Sequence, residues 1–432
     1  MSRPLLRKYR SRILCPVIVE AKEGMFSRVR DSLRELIPVE LLQPKIHRLV
    51  PATIEYPFSK YKEIEAFNMV SCILTPNLIE DLAEWGSIEK IYYDDLRWAL
   101  QTVPPEGVYL DWRKRPSTTS FWIKKTLSID KANRKGYTGR NVRVAVLDTG
   151  LRITHPQIIE RAIRPLTAVP EKGGSGIDEC GHGTHVTTIL GGMYRVDPRY
   201  KVPVEGMAPE SIIIPIQVLG FIIGVGTSSD VIKGMEMALR FGAKIINMSL
   251  GGTAVKDEDN PEAKAINKIV EAGAIPVAAA GNDGPEAGTI NSPGSCLNSL
   301  TVGNYDEFEG KVHDSSSRGP TPDGYIKPDV VAPGVRVNSG LVGYIDAITD
   351  PSQPKYGALT GTSMSTPAVS GLLACAAQLY IEKLGMELTV EEVKKMMEEL
   401  GPNQPKDNDQ GHGLITWDIV ERWVETSYGF KV

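Results

Sequence analysis

Three largely apolar runs in this chain each stop at a residue that can do chemistry or bend the backbone sharply. Val142–Leu147 runs into Asp148, Ala243–Met248 into Ser249-Leu-Gly-Gly252, and Ile275–Ala280 into Gly281-Asn282. Helical stretches separate such runs: Gly183–Gly191, Asp230–Phe241 and Pro261–Ala272. Strands alternating with helices predict a parallel sheet. Ile212–Leu219, Leu300–Val302 and Val330–Val331 add strands. Thr389–Glu399 adds a C-terminal helix, with Thr389 and Glu392 spaced as a capping box. The expected fold is a doubly wound α/β domain with a largely parallel sheet, over residues 118–432. Ligands of such sheets gather beyond the carboxyl ends of the strands. Asp148 and Asn282 stand at such ends.

Residues 1–96 follow a different rhythm. Ile13–Glu20 reads as a strand and Gly24–Ile37 as a helix with Met25, Val29 and Leu33 at apolar spacing. Lys45–Tyr56 and Phe67–Leu74 read as strands, Pro76 opens a helix reaching Trp85, and Ile88–Tyr93 closes with a strand. The order β-α-β-β-α-β predicts a ferredoxin-like α+β unit with a small core of its own. From Leu96 the chain turns to proline, glycine and charge, as in Val103-Pro-Pro-Glu-Gly107 and Trp112-Arg-Lys-Arg-Pro116. Residues 97–117 are therefore expected to be an exposed connector of the kind proteases nick.

A chain of 432 residues has room for these two domains. A net charge of −4 without a dense basic stripe speaks against a nucleic-acid surface. Five scattered cysteines (Cys15, Cys72, Cys180, Cys296, Cys375) with no C-x-x-C pair suit free thiols in a reducing compartment. The first residues carry positive charge but no uninterrupted apolar segment and no small-residue cleavage site, so no signal peptide is read. No run approaches the ~18–20 apolar residues of a membrane span. The expectation is a cytoplasmic protein with neither nucleic acid nor membrane as a partner.

The chemistry gathers in short motifs. In Gly361-Thr-Ser-Met-Ser-Thr-Pro367 a small-residue turn delivers Ser363 to the start of a helix, with Pro367 fitting its first turn. Free backbone N–H groups and the positive end of the helix dipole lie beside such a serine, a good place to stabilise charge on an attacked carbonyl. An N-cap serine on a core helix is the plainer alternative. In Gly181-His-Gly-Thr-His-Val186, glycines on both sides leave the His182 imidazole unobstructed. His182 and His185, one helical turn apart, form an alternative pair of metal ligands. Cys180 reads as a packed thiol. Asn282, flanked by glycine, is either a turn residue or the rigid neutral donor of an oxyanion hole.

Asp148, His182 and Ser363 follow one another in that order, 34 and 181 residues apart. With Val144-Ala-Val-Leu-Asp-Thr-Gly150, Asn247-Met-Ser-Leu-Gly-Gly252 and Ala279-Ala-Gly-Asn-Asp-Gly284, the chain resembles the subtilisin-like serine proteases from about Phe121 to Val424. The resemblance implies an endopeptidase that works through an acyl-enzyme on Ser363. His182 is its base and acid, Asp148 orients His182, and Asn282 binds the oxyanion with the Ser363 N–H. It implies that substrate adds as a strand between Gly224-Val225-Gly226 and Ser249-Leu250-Gly251. Ala280, Gly281 and Asn291 then border the first specificity pocket, and Asp283 favours a basic or polar side chain there. It also implies that residues 1–96 are a propeptide, an intramolecular inhibitor and folding chaperone, cut away in the connector. A permanent accessory domain is the alternative. A pseudoprotease and a metal hydrolase on His182 and His185 are the rival functions. No cofactor is implied for the chemistry. Structural calcium is not supported, because Met193–Glu205 lacks an asparagine-rich loop and Asp197 alone cannot supply six oxygens.

Overall fold

The computed structural model describes residues 15–36, 61–99, 118–159, 162–170, 173–198, 201–220, 224–342 and 356–432. The N-terminal unit comprises β1 (Cys15–Ala21), α1 (Phe26–Leu36), β2 (Tyr61–Ile64), β3 (Met69–Leu74), α2 (Pro76–Ala83) and β4 (Ile88–Tyr93). Its antiparallel sheet has the order β2-β3-β1-β4. Successive side chains of a strand face opposite ways, and β1 uses both faces. Val17 and Val19 join Val29 and Leu33 of α1 and Leu82 of α2. Ile18 turns away from them and packs with Phe67, Met69 and Tyr92 against Val231, Met235 and Ile266 of the larger domain. One face therefore closes on the unit's own helices and the other on the rest of the protein.

Two sequence expectations change here, and a third falls outside the described residues. The strand expected at Lys45–Tyr56 lies outside the described residues. β2 falls at Tyr61–Ile64, a four-residue strand too short to show a period. Leu96–Ala99, expected to begin an exposed connector, is instead a strand, β5, with Arg97 only 3% exposed. Its pairing partners lie more than a hundred residues away, so no local pattern announces it.

The larger domain contains β6 (Arg143–Asp148), α3 (His182–Gly191), β7 (Ile212–Gln217), β8 (Val225–Thr227), α4 (Ser228–Arg240), β9 (Ile245–Met248) and β10 (Leu250–Gly251). There follow α5 (Pro261–Glu271), β11 (Ile275–Ala279), β12 (Leu300–Asp306), β13 (Val330–Pro333), α6 (Thr362–Leu379), α7 (Val390–Leu400) and α8 (Trp417–Tyr428). Strands β12, β11, β9, β6 and β7 lie side by side and parallel, with β13 parallel beside β12. Leu166–Thr167 continues the sheet beyond β7, and Lys311–Val312 adds an antiparallel edge. On β6, Val144 and Val146 pack with Ile189 of α3 and Leu372 of α6. Ala145 and Leu147 pack on the opposite face with Val231 and Ile232 of α4 and Ile266 and Ile269 of α5. The sheet is thus doubly wound, as expected. The chain moves from β6 outward to β7, then returns to β9 on the other side. That reversal opens a crevice at the carboxyl ends of β6 and β9.

Helix α6 is buried along its whole length and passes through the core. With the turn that continues it, Thr362–Leu384 is long and apolar enough for a membrane span, a length masked in the sequence by interspersed serine, threonine and glycine. Its window is 94% buried inside the protein, so packing accounts for its apolar character.

Candidate active site

Asp148, the last residue of β6, and His182, the first of α3, meet at the crevice. His182 Nδ1 lies 2.7 Å from Asp148 Oδ1. A carboxylate accepts, so Nδ1 carries the ring proton and Nε2 is a bare acceptor. Nε2 is buried and has no hydrogen-bond partner. The glycines around His182 answer to space. A Cβ on Gly183 would come within 2.3 Å of the Gly150 carbonyl oxygen, and Gly181 has φ +103°. Asp178, which sequence reading passed over, locks this corner. Its carboxylate accepts from Gly181 N (2.7 Å), Thr184 N (2.8 Å), Thr184 Oγ1 (2.6 Å) and Thr149 Oγ1 (2.9 Å). Full burial raises its pKa despite these donors. An acid four residues before His182, where the α3 amides are unpaired, was the available signal.

His185 is engaged on its Nε2 side by backbone. Its Nε2 faces the carbonyls of Val337 and Gly357, each at 3.0 Å, so that nitrogen is a donor. Burial lowers its pKa to about 3. Cys180 is a packed thiol, pushed up to about 12 by burial and by Asp178. Among the described residues, no three His, Cys, Asp or Glu side chains gather as a metal site. Asp197 is buried, with Oδ2 accepting from Asn338 Nδ2 (2.9 Å).

Ser363 is the second residue of α6. Pro367 falls inside the helix rather than in its first turn. The fourth residue onward would normally bond the Ser363 carbonyl, but proline has no N–H. That carbonyl instead accepts from Ser249 Oγ (3.1 Å), while Ser363 Oγ donates to the Ser249 carbonyl (3.0 Å). Ser363 is therefore tied to the end of β9 and makes no hydrogen bond to His182. Asn282 is held by its oxygen: Oδ1 accepts from Thr362 N (3.0 Å) and Thr362 Oγ1 (3.1 Å). Its Nδ2 is left buried without a partner. Asn282 is thus a fixed amide with a bare N–H, held by Thr362, the first residue of the serine helix.

Residues 139–414 match the Subtilase family, well over half of the chain. The protein belongs to that family. This subtilase is 32% identical over 368 residues to serine protease AprX of Bacillus subtilis (strain 168), covering 79% of its own length and 76% of the relative. To subtilisin of Bacillus pumilus it is 33% identical over 255 residues (58% and 80%), and to subtilisin E of Bacillus subtilis (strain 168) 33% over 328 residues (74% and 72%). It is a serine endopeptidase acting on polypeptides, and its chemistry needs no cofactor.

The segments expected to hold substrate in the subtilase are already filled. β5 lies antiparallel between β8 and β10. Arg97 stands opposite Gly226, Trp98 opposite Val225 and Gly251, and Ala99 opposite Leu250. Ala99 N donates to the Gly224 carbonyl at 3.1 Å. A Cβ on Gly224 would meet Thr149 at 3.2 Å and Ala99 at 3.3 Å, so this edge runs beside the Asp148 turn. The other expected pocket residues also converge. Asn291 N donates to the Ala280 carbonyl (2.8 Å), and a Cβ on Gly281 would lie 2.7 Å from Asn291 Cγ. Asp283 is exposed and its Oδ2 accepts from Asn291 Nδ2 (2.7 Å), so this carboxylate is already engaged.

Proposed function

We propose that the subtilase cleaves peptide bonds through an acyl-enzyme on Ser363 and is made as a zymogen inhibited by its own N-terminal unit. Asp148 holds His182 with Nε2 free to accept the Ser363 proton. The serine oxygen attacks the scissile carbonyl carbon, and Asn282 Nδ2 and the Ser363 N–H receive the oxyanion. The His182 imidazolium, stabilised by Asp148, then gives its proton to the departing amine. Water, activated by the same base, releases the acyl group.

The zymogen reading is carried by one observation: β5, the tail of the N-terminal unit, pairs with both edges that a peptide substrate would use. A strand in that position excludes substrate by β-augmentation. The N-terminal unit is then an intramolecular inhibitor and folding partner, and processing falls in the segment 97–117. A strand lying where substrate would bind favours a removable inhibitor over a permanent accessory domain. The test is the intact mass of the wild type beside Ser363→Ala, followed over time. The wild type sheds about a hundred N-terminal residues and the variant stays full length; identical trimming of both would defeat the zymogen reading. Covalent labelling of Ser363 by a fluorophosphonate tests the nucleophile separately.

A further inference from the structure

The tail carries one charged side chain down into the larger domain. Arg97 is 3% exposed, and Glu262, in the first turn of α5, is 0% exposed. Glu262 Oε1 accepts from Arg97 Nε (2.8 Å) and Oε2 from Nη2 (3.2 Å), a side-on pair of parallel bonds. Ser292 Oγ donates to the same Oε2 at 2.6 Å and fixes the carboxylate. The remaining contacts of the guanidinium, Leu96 O (2.7 Å) and Asp95 Oδ2 (3.4 Å), belong to the tail itself. Among the described residues, Arg97 is the only cation paired with Glu262.

The surroundings are shaped for this side chain. Gly252 exchanges two backbone hydrogen bonds with Ser292, each 3.0 Å, and so forms a fixed wall. A Cβ on Gly252 would lie 2.4 Å from Leu96 O, 2.6 Å from Arg97 Nη1 and 2.9 Å from Arg97 Cδ. Only a residue without a side chain leaves the passage open.

Register gives the position a meaning. Trp98 faces Gly251 and Ala99 faces Leu250, so the next residue of a peptide in this register faces Ser249. The Ser249 carbonyl holds Ser363 Oγ. The bond cleaved therefore follows the residue facing Ser249, and the residue in the place of Arg97 is the fourth on its amino-terminal side. When the tail departs, Glu262 loses its counter-ion, and the carboxylate that Ser292 holds in place is left to pair with an incoming guanidinium. We propose that Glu262 forms an acidic subsite selecting substrates with arginine at this fourth position, a reading that rests on β8 and β10 being the peptide-binding edges. Lysine, a point charge without the planar fork, fits it less well. Glu262 determines specificity and takes no part in the chemistry.

Four peptides test this, identical except for arginine, citrulline, lysine or leucine at the fourth position and carrying a chromogenic leaving group. Citrulline keeps the shape of arginine and removes its charge. On the active protein, kcat/KM for the arginine peptide exceeds that for citrulline by roughly tenfold or more, mostly through KM. Glu262→Gln levels the two peptides, bringing the ratio of their kcat/KM values close to one. Equal cleavage of the arginine and citrulline peptides by the wild type overturns the subsite, as does a preference that survives Glu262→Gln. Should that variant fail to fold, the wild-type ratio decides alone. Failure of the underlying cleft reading looks different: no peptide of the four is cut although denatured protein is, and the subsite falls with it.

Discussion

The N-terminal unit touches the larger domain in two places, and they work by different physics. Its body sits on α4 and α5 through side chains. Ile18, Phe67 and Met69 meet Val231 and Ile266, and a buried ion pair joins Lys62 to Asp230. Glu236 Oε1 accepts from Ala66 N (2.8 Å), and Asp94 accepts from Ser229 N (2.9 Å) at the start of α4. Its tail, by contrast, is held mainly through backbone, as any peptide in an extended conformation would be, with Arg97 as the buried exception. The body contact reads one sequence; the tail contact accepts many. The inhibitory role proposed above would need both, since a strand that binds like substrate is a strand that can be cut and replaced.

The largest test of this contrast is Ser363→Ala, which should lower peptide hydrolysis by on the order of 10⁶ and leave the tail uncut. Loss of activity with normal trimming, read by intact mass, would break the link between tail and nucleophile. Next comes Lys62→Met, which leaves Asp230 buried without this partner. Loss of one member of such a pair costs about 3–5 kcal/mol. It should weaken inhibition by the separated N-terminal unit at least a hundredfold while the processed enzyme turns over normally. Unchanged inhibition would mean that the tail, not the body, carries the affinity.

Asn282→Ala follows, with kcat lower by roughly 10²–10³ and KM little changed. A rise in KM instead would assign Asn282 to the substrate edge. The smallest effect belongs to the permanent core. His185 has its pKa lowered to about 3, so the unfolded chain binds the proton first as pH falls below its ordinary value near 6.5. The stability tied to its neutral form is complete above that value and drains away toward pH 3, by at most about 1.4 kcal/mol per pH unit. Asp178, an acid with a raised pKa, slopes the opposite way but is common to wild type and variant. Denaturant titrations at pH 7, 5 and 4 should show a shallower loss for His185→Gln, before and after removal of the N-terminal unit. Equal slopes in wild type and variant would refute it.

Much of this was legible in the sequence because the decisive residues sit where the backbone changes direction. Asp148, His182, Asn282 and Ser363 stand at strand ends or helix starts, and beside the first three Gly150, Gly183 and Gly281 pack too closely for any other residue. Glu262 was not legible. An acid in the first turn of a helix after proline complements the helix dipole anywhere, and its partner here is 165 residues away. β5 was hidden for the same reason, since all of its pairing is with distant edges. Pro367 misled by a single turn: its place inside α6 became meaningful only when the freed Ser363 carbonyl found Ser249.

That exchange between Ser249 and Ser363 puts the nucleophile and the expected substrate edge on one oxygen. The N–H groups of a strand alternate between its two neighbours, and since Ala99 gives its own to Gly224, the following amide of a bound peptide points at the Ser249 carbonyl. This is the oxygen on which the Ser363 hydroxyl rests. A carbonyl oxygen has two lone pairs, so the peptide amide and the serine hydroxyl can share this acceptor. A peptide docked in this register would be anchored to the same oxygen that positions the nucleophile, so that any shift of this one carbonyl moves substrate and serine together.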